Sequence, residues 1–198
     1  MSNPTLTERA AWASAFAHPD FRRFQTARWA SIVGTQMQSV AIGWQVYAIT
    51  RRPIDLAWVG LAQFLPAMGL SLITGHAADR FDRRSILLVC HGAMTLLSLA
   101  LLVVTRAGGA DLSPIYGVLV GIGAARAFRG PANQSILPTL IPAEDFGNAV
   151  AWSSTLWQVA TVFGPMLGGF VYVAAGGAEV VYGISATCSL AALGLVST

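Results

Sequence analysis

Long apolar runs separated by short polar turns recur six times along this chain. They cover about 28–49, 56–75, 85–105, 113–133, 149–174 and 180–198, each close to the roughly 20 residues that a helix needs to cross a bilayer. A soluble helical bundle would need a polar face on every helix, and LLVCHGAMTLLSLALLVV (87–104) has almost none. The connections TRRPID, HAADRFDRR, RAGGADL, ILPTLIPAEDFGN and GGAE are short, so neighbouring helices run up and down. The pattern predicts an all-α membrane protein with six transmembrane helices over 28–198, preceded by a cytoplasmic N-terminal segment, 1–27.

Composition agrees. Of 198 residues, 55% are hydrophobic and only 11% charged, where soluble domains carry about 25%. A net charge of +3 and a pI near 9.3 raise the question of a nucleic-acid partner. The arginines sit at the ends of apolar runs instead, as the positive-inside rule requires, so no nucleic acid is expected. All twelve basic residues are arginine. Nine of them (Arg9, Arg22, Arg23, Arg28, Arg80, Arg83, Arg84, Arg126, Arg129) fall on one side and three (Arg51, Arg52, Arg106) on the other. That bias places the N-terminus and the 76–84 loop of a multi-pass protein in the cytoplasm. The first 24 residues hold no continuous apolar core, so no cleaved signal is expected. Cys90 and Cys188 lie inside apolar runs and read as small packed or lipid-facing residues, not a disulfide or metal pair. Neither metal nor cofactor is expected.

Span two reads FLPAMG (64–69) and span five FGPMLG (163–168), with Phe, Pro and Gly recurring at one offset of 99 residues. Span two runs inward and span five outward, as in the inverted three-plus-three repeats of transporters. Span six covers only about 27 Å at roughly 1.5 Å per residue. Six spans ending there predict half of a larger assembly.

The charged turn GHAADRFDRR (75–84) joins spans two and three. Topology accounts for its arginines, but not for an aspartate one turn after a glycine at a helix end. Its order resembles the loop signature of the major facilitator superfamily, with Gly75, Asp79, Arg80, Arg83 and Arg84 matching and Asp82 standing where the signature has a second glycine. A carboxylate at the C-terminal end of a helix is disfavoured by the dipole unless it finds a partner. The resemblance implies a charge latch that closes a cytoplasmic gate against a second six-helix half. HPDFRRFQTARWASIVGTQMQSVAIGWQVY (18–47) and RAFRGPANQSILPTLIPAEDFGNAVAWSS (126–154) are similar to the exporter branch that contains the enterobactin exporter. VFGPMLGG (162–169) resembles the span-five antiporter motif, with Ala151 and Ala160 in place of two upstream glycines.

In that motif Gly164, Pro165, Gly168 and Gly169 form a candidate hinge. Pro165 removes a backbone donor and kinks the helix, and Gly164 with Gly168 permits close helix approach. Polar residues inside spans are functional candidates. Gln38 and Gln45, seven apart on span one, with Gln63, Arg126 and Gln158, are candidates for a substrate cavity, walled by Trp44, Trp152 and Trp157. For each glutamine the alternative is an interhelical hydrogen bond. Arg126 sits about 20 Å into span four, and its spacing to Gly130 resembles the superfamily's span-four arginine motif. No span carries Asp or Glu near its middle. A coupling carboxylate is therefore expected at Asp55 or in a second half, and His91 is expected to be a packed polar residue.

Dinucleotide, metalloprotease and phosphate-loop motifs are absent: GIGAAR (121–126) lacks a third glycine and a preceding strand. The chain is not expected to be an enzyme. The sequence predicts the N-terminal half, or a truncated form, of a secondary transporter that exports a small solute by alternating access. A half-size transporter acting as a dimer and a non-transporting scaffold or sensor are the alternatives.

Overall fold

A computed structural model describes residues 14–80, 82–108 and 111–197; within it, the side chains of 71–73 and 75–80 lie outside the described residues. After a short 3-10 turn, Ser14–Ala17, six helices follow: α1 (Pro19–Thr50), α2 (Pro53–Arg80), α3 (Arg83–Ala107), α4 (Ser113–Leu140), α5 (Phe146–Ala174) and α6 (Glu179–Ser197).

Local chemistry sets the helix ends. Pro19 opens α1, where its missing N–H costs nothing, and Asp20 faces the positive end of the helix dipole. Arg51 ends α1 in the left-handed region at φ 56°, its N–H bonded to the Tyr47 carbonyl at 2.8 Å. Gly108 does the same for α3 at φ 69°. The helices outrun the apolar runs: α1 starts at Pro19 instead of 28, and α4 continues through Pro131 and Pro138 to Leu140 instead of stopping near 133. Hydropathy marks only the stretch that lipid would solvate, whereas 32-residue α1 is about 48 Å long against roughly 30 Å of hydrocarbon.

Four helices contain stretches long and apolar enough to cross a membrane: 53–70, 83–107, 146–174 and 179–197. The other two, α1 and α4, are diluted by Gln25, Gln36, Gln38 and Gln45 and by Arg126, Arg129, Asn133 and Gln134. They are equivalent positions of a repeat. α2 packs on α4, α4 on α3, α3 on α6, α6 on α1, and α1 on α5. Exchanging α1 with α4, α2 with α5 and α3 with α6 maps this set of contacts onto itself. The fold is an all-helical membrane half with a three-plus-three repeat.

The main core gathers Met37, Ile42, Met94, Leu101, Leu119 and Tyr182 between α1, α3, α4 and α6. A second core near the α1 start holds Phe21, Phe24, Leu87 and Leu137. The 3-10 turn is pinned to that end. Phe16 meets Phe21 and Trp152 edge-on, at 5.3 and 5.1 Å between ring centroids. The Ala15 N–H donates to Asn148 Oδ1 at 3.3 Å, and His18 pairs with Asp145 at 3.1 Å. Residues 14–27, expected as part of a preceding segment, are thus the docked turn and the first turns of α1. Trp152 is engaged there by Phe16.

Candidate functional site

Two polar systems share α1, on different faces. The first is a buried ladder. Ser31, Gln38 and Gln45 recur every seven residues on α1, and His91, Ser98 and Thr105 recur every seven on α3. Ser31 Oγ lies 3.5 Å from His91 Nδ1. Ser98 Oγ donates to Gln38 Oε1 at 2.7 Å, and Gln45 Nε2 donates to Thr105 Oγ1 at 2.9 Å. Helix α6 closes two rungs, Ser185 Oγ donating to Gln38 Oε1 at 2.5 Å and the Tyr182 hydroxyl to Gln45 Oε1 at 2.6 Å. Gln38 and Gln45 are 2% and 9% exposed. The expectation that they line a substrate cavity is therefore corrected: they are interhelical bonds, because the face opposite α3 and α6 offers them hydroxyl partners. His91 is packed in the same ladder, as expected.

The second system lies where α1, α2 and α4 meet. Arg126 Nη2 donates to Ser39 Oγ at 3.0 Å, while its Nε is buried without a partner. Three residues earlier on α4, a Cβ on Gly123 would stand 2.3 Å from the Gln63 carbonyl oxygen. Only glycine lets the α2 and α4 backbones touch there. Gln63 donates to the Val59 carbonyl at 3.3 Å, and its Oε1 is buried without a partner. Ser39 borders a cleft of about 460 Å³ with Val40, Gly43, Trp44, Tyr47 and Leu56. The Trp44 ring is half-exposed and tilted against Tyr172 of α5 at 6.4 Å.

Of the expected cavity set, the structure brings Gln63, Arg126 and Trp44 to this region. Trp157 and Gln158 are exposed on α5, whose buried face is Ala149, Ser153, Ala160, Gly164 and Gly168. No hydrogen bond among the described residues joins them to Arg126. Sequence reasoning missed Ser39 and Tyr47. Ser39, a polar residue off the seven-residue stripe of α1, was the available signal. Asp55 is half-buried in the first turn of α2, where its carbonyl accepts the Tyr116 hydroxyl at 3.4 Å.

In the charged turn, the side chains of Gly75, Asp79 and Arg80 lie outside the described residues. Asp82 caps α3. Its Oδ2 accepts both the N–H and the hydroxyl of Ser85 at 2.9 Å, and these bonds hold its carboxyl below the usual range. Its φ of −58° needs no glycine, which explains its presence where the signature has one. Arg83 Nη1 donates to the Ser135 carbonyl of α4 at 2.7 Å. Arg84 donates to the Val196 carbonyl at 2.9 Å and to that of Ser197. It thereby meets the negative end of α6.

In the candidate hinge, a Cβ on Gly164 would fall 2.6 Å from Gln36 Cβ, and one on Gly168 2.6 Å from Met37 Cα. Gly169 has open space around it, and Pro165 sits inside the helix. The echoed Gly69 of α2 is also in open space. The sequence echo therefore does not repeat the close approach. In the equivalent pair it is Gly123 of α4, not a residue of α2, that supplies it.

Among the described residues two ion pairs occur, His18 with Asp145 and Arg106 with Glu179, both at helix ends. Hydrogen bonds from Ser14 and His18 hold the Asp145 carboxyl below its ordinary value. No cluster of potential metal ligands is found among the described residues.

Residues 9–198 match the family model described as transmembrane secretion effector. The chain is 28% identical over 160 residues to the uncharacterized MFS-type transporter YkuC of Bacillus subtilis, covering 79% of this chain and 36% of the relative. It is 30% identical over 173 residues to the enterobactin exporter EntS of Salmonella choleraesuis, covering 85% and 41%. The same exporter from Escherichia coli O1:K1 is 29% identical, covering 85% and 40%. The chain thus spans about two fifths of the length of these relatives.

Proposed function

Because the chain belongs to the transmembrane secretion effector family of the major facilitator superfamily, a family of transporters and not of enzymes, we propose that it serves export of a small solute by alternating access. It acts in the bacterial inner membrane with its N-terminus in the cytoplasm, as the N-terminal six-helix half of a secondary transporter. The observation that carries this reading is the Arg126–Ser39 bond. It joins α4 to α1, the two equivalent and least apolar helices, beside an aromatic cleft. A protein that only anchored itself in lipid would have no use for a partly buried cation beside such a cleft, since charge inside a membrane is costly.

In this reading Asp79, Arg80, Arg83 and Arg84 govern the cytoplasmic gate. Arg83 and Arg84 brace the ends of α4 and α6, so the turn moves with the half as one body; the part of Asp79 in the gate is what the signature implies. Gly164, Pro165, Gly168 and Gly169 let α5 move against α1. The solute contacts α1, α2 and α4, with Trp157 and Gln158 of α5 completing the site from the far side. Exposed apolar side chains on α2 and α5, Phe64, Met68, Phe163 and Met166, face a second six-helix body. A second copy of this chain is the alternative occupant, making a half-size transporter.

The test is a drug-susceptibility and accumulation screen in an efflux-deficient bacterium. Cells carrying the gene should accumulate at least one solute less than control cells. Asp79→Asn should remove that difference at equal protein abundance in the membrane. Unchanged accumulation across the whole panel would leave the scaffold or sensor reading and discard transport.

A further inference from the structure

We infer that the cleft beside Ser39 takes an anionic aromatic solute, with Arg126 as the group that recognises its charge. The inference rests on the transport reading and adds the substrate class. Arg126 and Arg129 lie one turn apart on α4, and each guanidinium is held by a neutral acceptor: Nη2 of Arg126 on Ser39 Oγ at 3.0 Å, Nη1 of Arg129 on Ser31 Oγ at 2.8 Å. Neither belongs to an ion pair among the described residues. The acidic residues within the helices are Asp20, Asp55, Asp79 and Glu179, each in a first or last turn. Asp79 is sixteen residues beyond Gln63 on α2, roughly 24 Å along the axis.

Two like charges one turn apart repel, and low dielectric strengthens that repulsion. A site that holds them together without a carboxylate selects a negative guest. Arg129 is already spent on the ladder, since its bond to Ser31 frees that hydroxyl's proton to point at His91 Nδ1. Arg126 keeps an unpartnered Nε. The planar guanidinium offers donors in a fork that fits a carboxylate, sulfonate or phosphate. The cleft above Ser39 is lined by Trp44 and Tyr47 and has about 460 Å³, within the usual range for small-molecule sites. Its lining is almost wholly apolar, and Arg126 meets it through Ser39, the lining residue that it holds at 3.0 Å, so the body of the guest is flat and apolar, with its charge at the Ser39 end beside Arg126.

The chain in lipid nanodiscs would be titrated calorimetrically at pH 7 and constant ionic strength with 2-naphthoate, 2-naphthamide and 2-naphthylmethylammonium. Naphthoate is expected to bind at least about 10-fold more tightly than the neutral amide. Arg126→Gln should bring the two within about 3-fold without weakening the amide, and Arg126→Lys should restore part of the preference. Unchanged helicity and elution volume confirm that the variants fold. Equal affinities, a preference for the ammonium probe, or a naphthoate preference that survives Arg126→Gln would overturn the inference; the ammonium preference would mean that a protein carboxylate supplies the counter-charge. Binding is read independently of flux. Naphthoate preference without any accumulation change in cells removes transport and keeps the anion site. Accumulation change without the preference does the reverse.

Discussion

At the scale of single residues, Asp82 shows how a departure from a family signature is put to use. A glycine there would free the backbone. The aspartate instead satisfies one orphan donor of α3, the Ser85 N–H, and also accepts the Ser85 hydroxyl. Folding holds its carboxyl below the usual range, so it adds stability above the unfolded-state titration near about pH 3.9. That contribution is lost as pH falls through the folded-state value. Asn caps nearly as well but does not titrate. Melting of purified Asp82→Asn in detergent between pH 6 and pH 3 is therefore expected to show a smaller acid-induced drop than the natural chain. Equal drops in the two proteins would mean that the Ser85 bonds contribute nothing to the pH dependence. The exposed position limits the effect to a shift in the acid limb of the profile. The turn itself was legible as a charged junction, but the roles of Arg83 and Arg84 were not. Their acceptors are carbonyls of α4 and α6, 52 and 112 residues away, and no side-chain pattern marks a backbone acceptor.

At the scale of helices, the small residues divide into those that a neighbour touches and those that none does. A Cβ at Gly168 would press on the Met37 backbone, which cannot yield as a side-chain tip can, whereas one at Gly169 meets nothing within 4 Å. Gly168→Ala is accordingly expected to destabilise the chain by about 1–3 kcal/mol, the usual cost of overpacking, and Gly169→Ala to leave it nearly unchanged. Thermal unfolding of both in one detergent separates them; a large loss at Gly169 or none at Gly168 would remove the α1–α5 contact as a tight hinge. Gly164 and Gly168 were readable from their four-residue spacing. Gly123 was not, since its partner is the Gln63 carbonyl and one of the two glycines in GIGAAR carries no mark. The ladder was half-legible: the seven-residue step of Gln38 and Gln45 stood out on α1. Its meaning depended on Ser98 and Thr105 matching that step on α3, a seven-residue register typical of helices that wind around one another. Polar residues in a span can face a cavity or a partner helix, and only the packing decides which.

At the scale of the whole molecule, the exchange of α1–α3 with α4–α6 also says where a second body belongs. α3 and α6 pack on each other and against α1 and α4, so their outer sides are left to lipid. α2 and α5 are equivalent flanks, each packed on a single principal neighbour, with Met68 and Met166 about 60% exposed. Exposure alone does not distinguish these faces, because Val103 of α3 is 66% exposed as well. Cross-linking does. Cys90 is buried and Cys188 only partly accessible, so introduced cysteines dominate the reaction. In native membranes, Met68→Cys combined with Met166→Cys is expected to yield a higher-mass species with a short bifunctional thiol reagent or on oxidation, and Val103→Cys should stay at monomer mass. A species at twice the chain mass means a second copy covers the flanks; another mass means a different six-helix body. Equal cross-linking at Val103 would reduce the flanks to lipid-facing surface. The same pair then reports on movement: if α2 and α5 flank the gate, loading the Arg126 cleft with naphthoate should change the yield at Met68 and Met166 and leave Val103 unaffected.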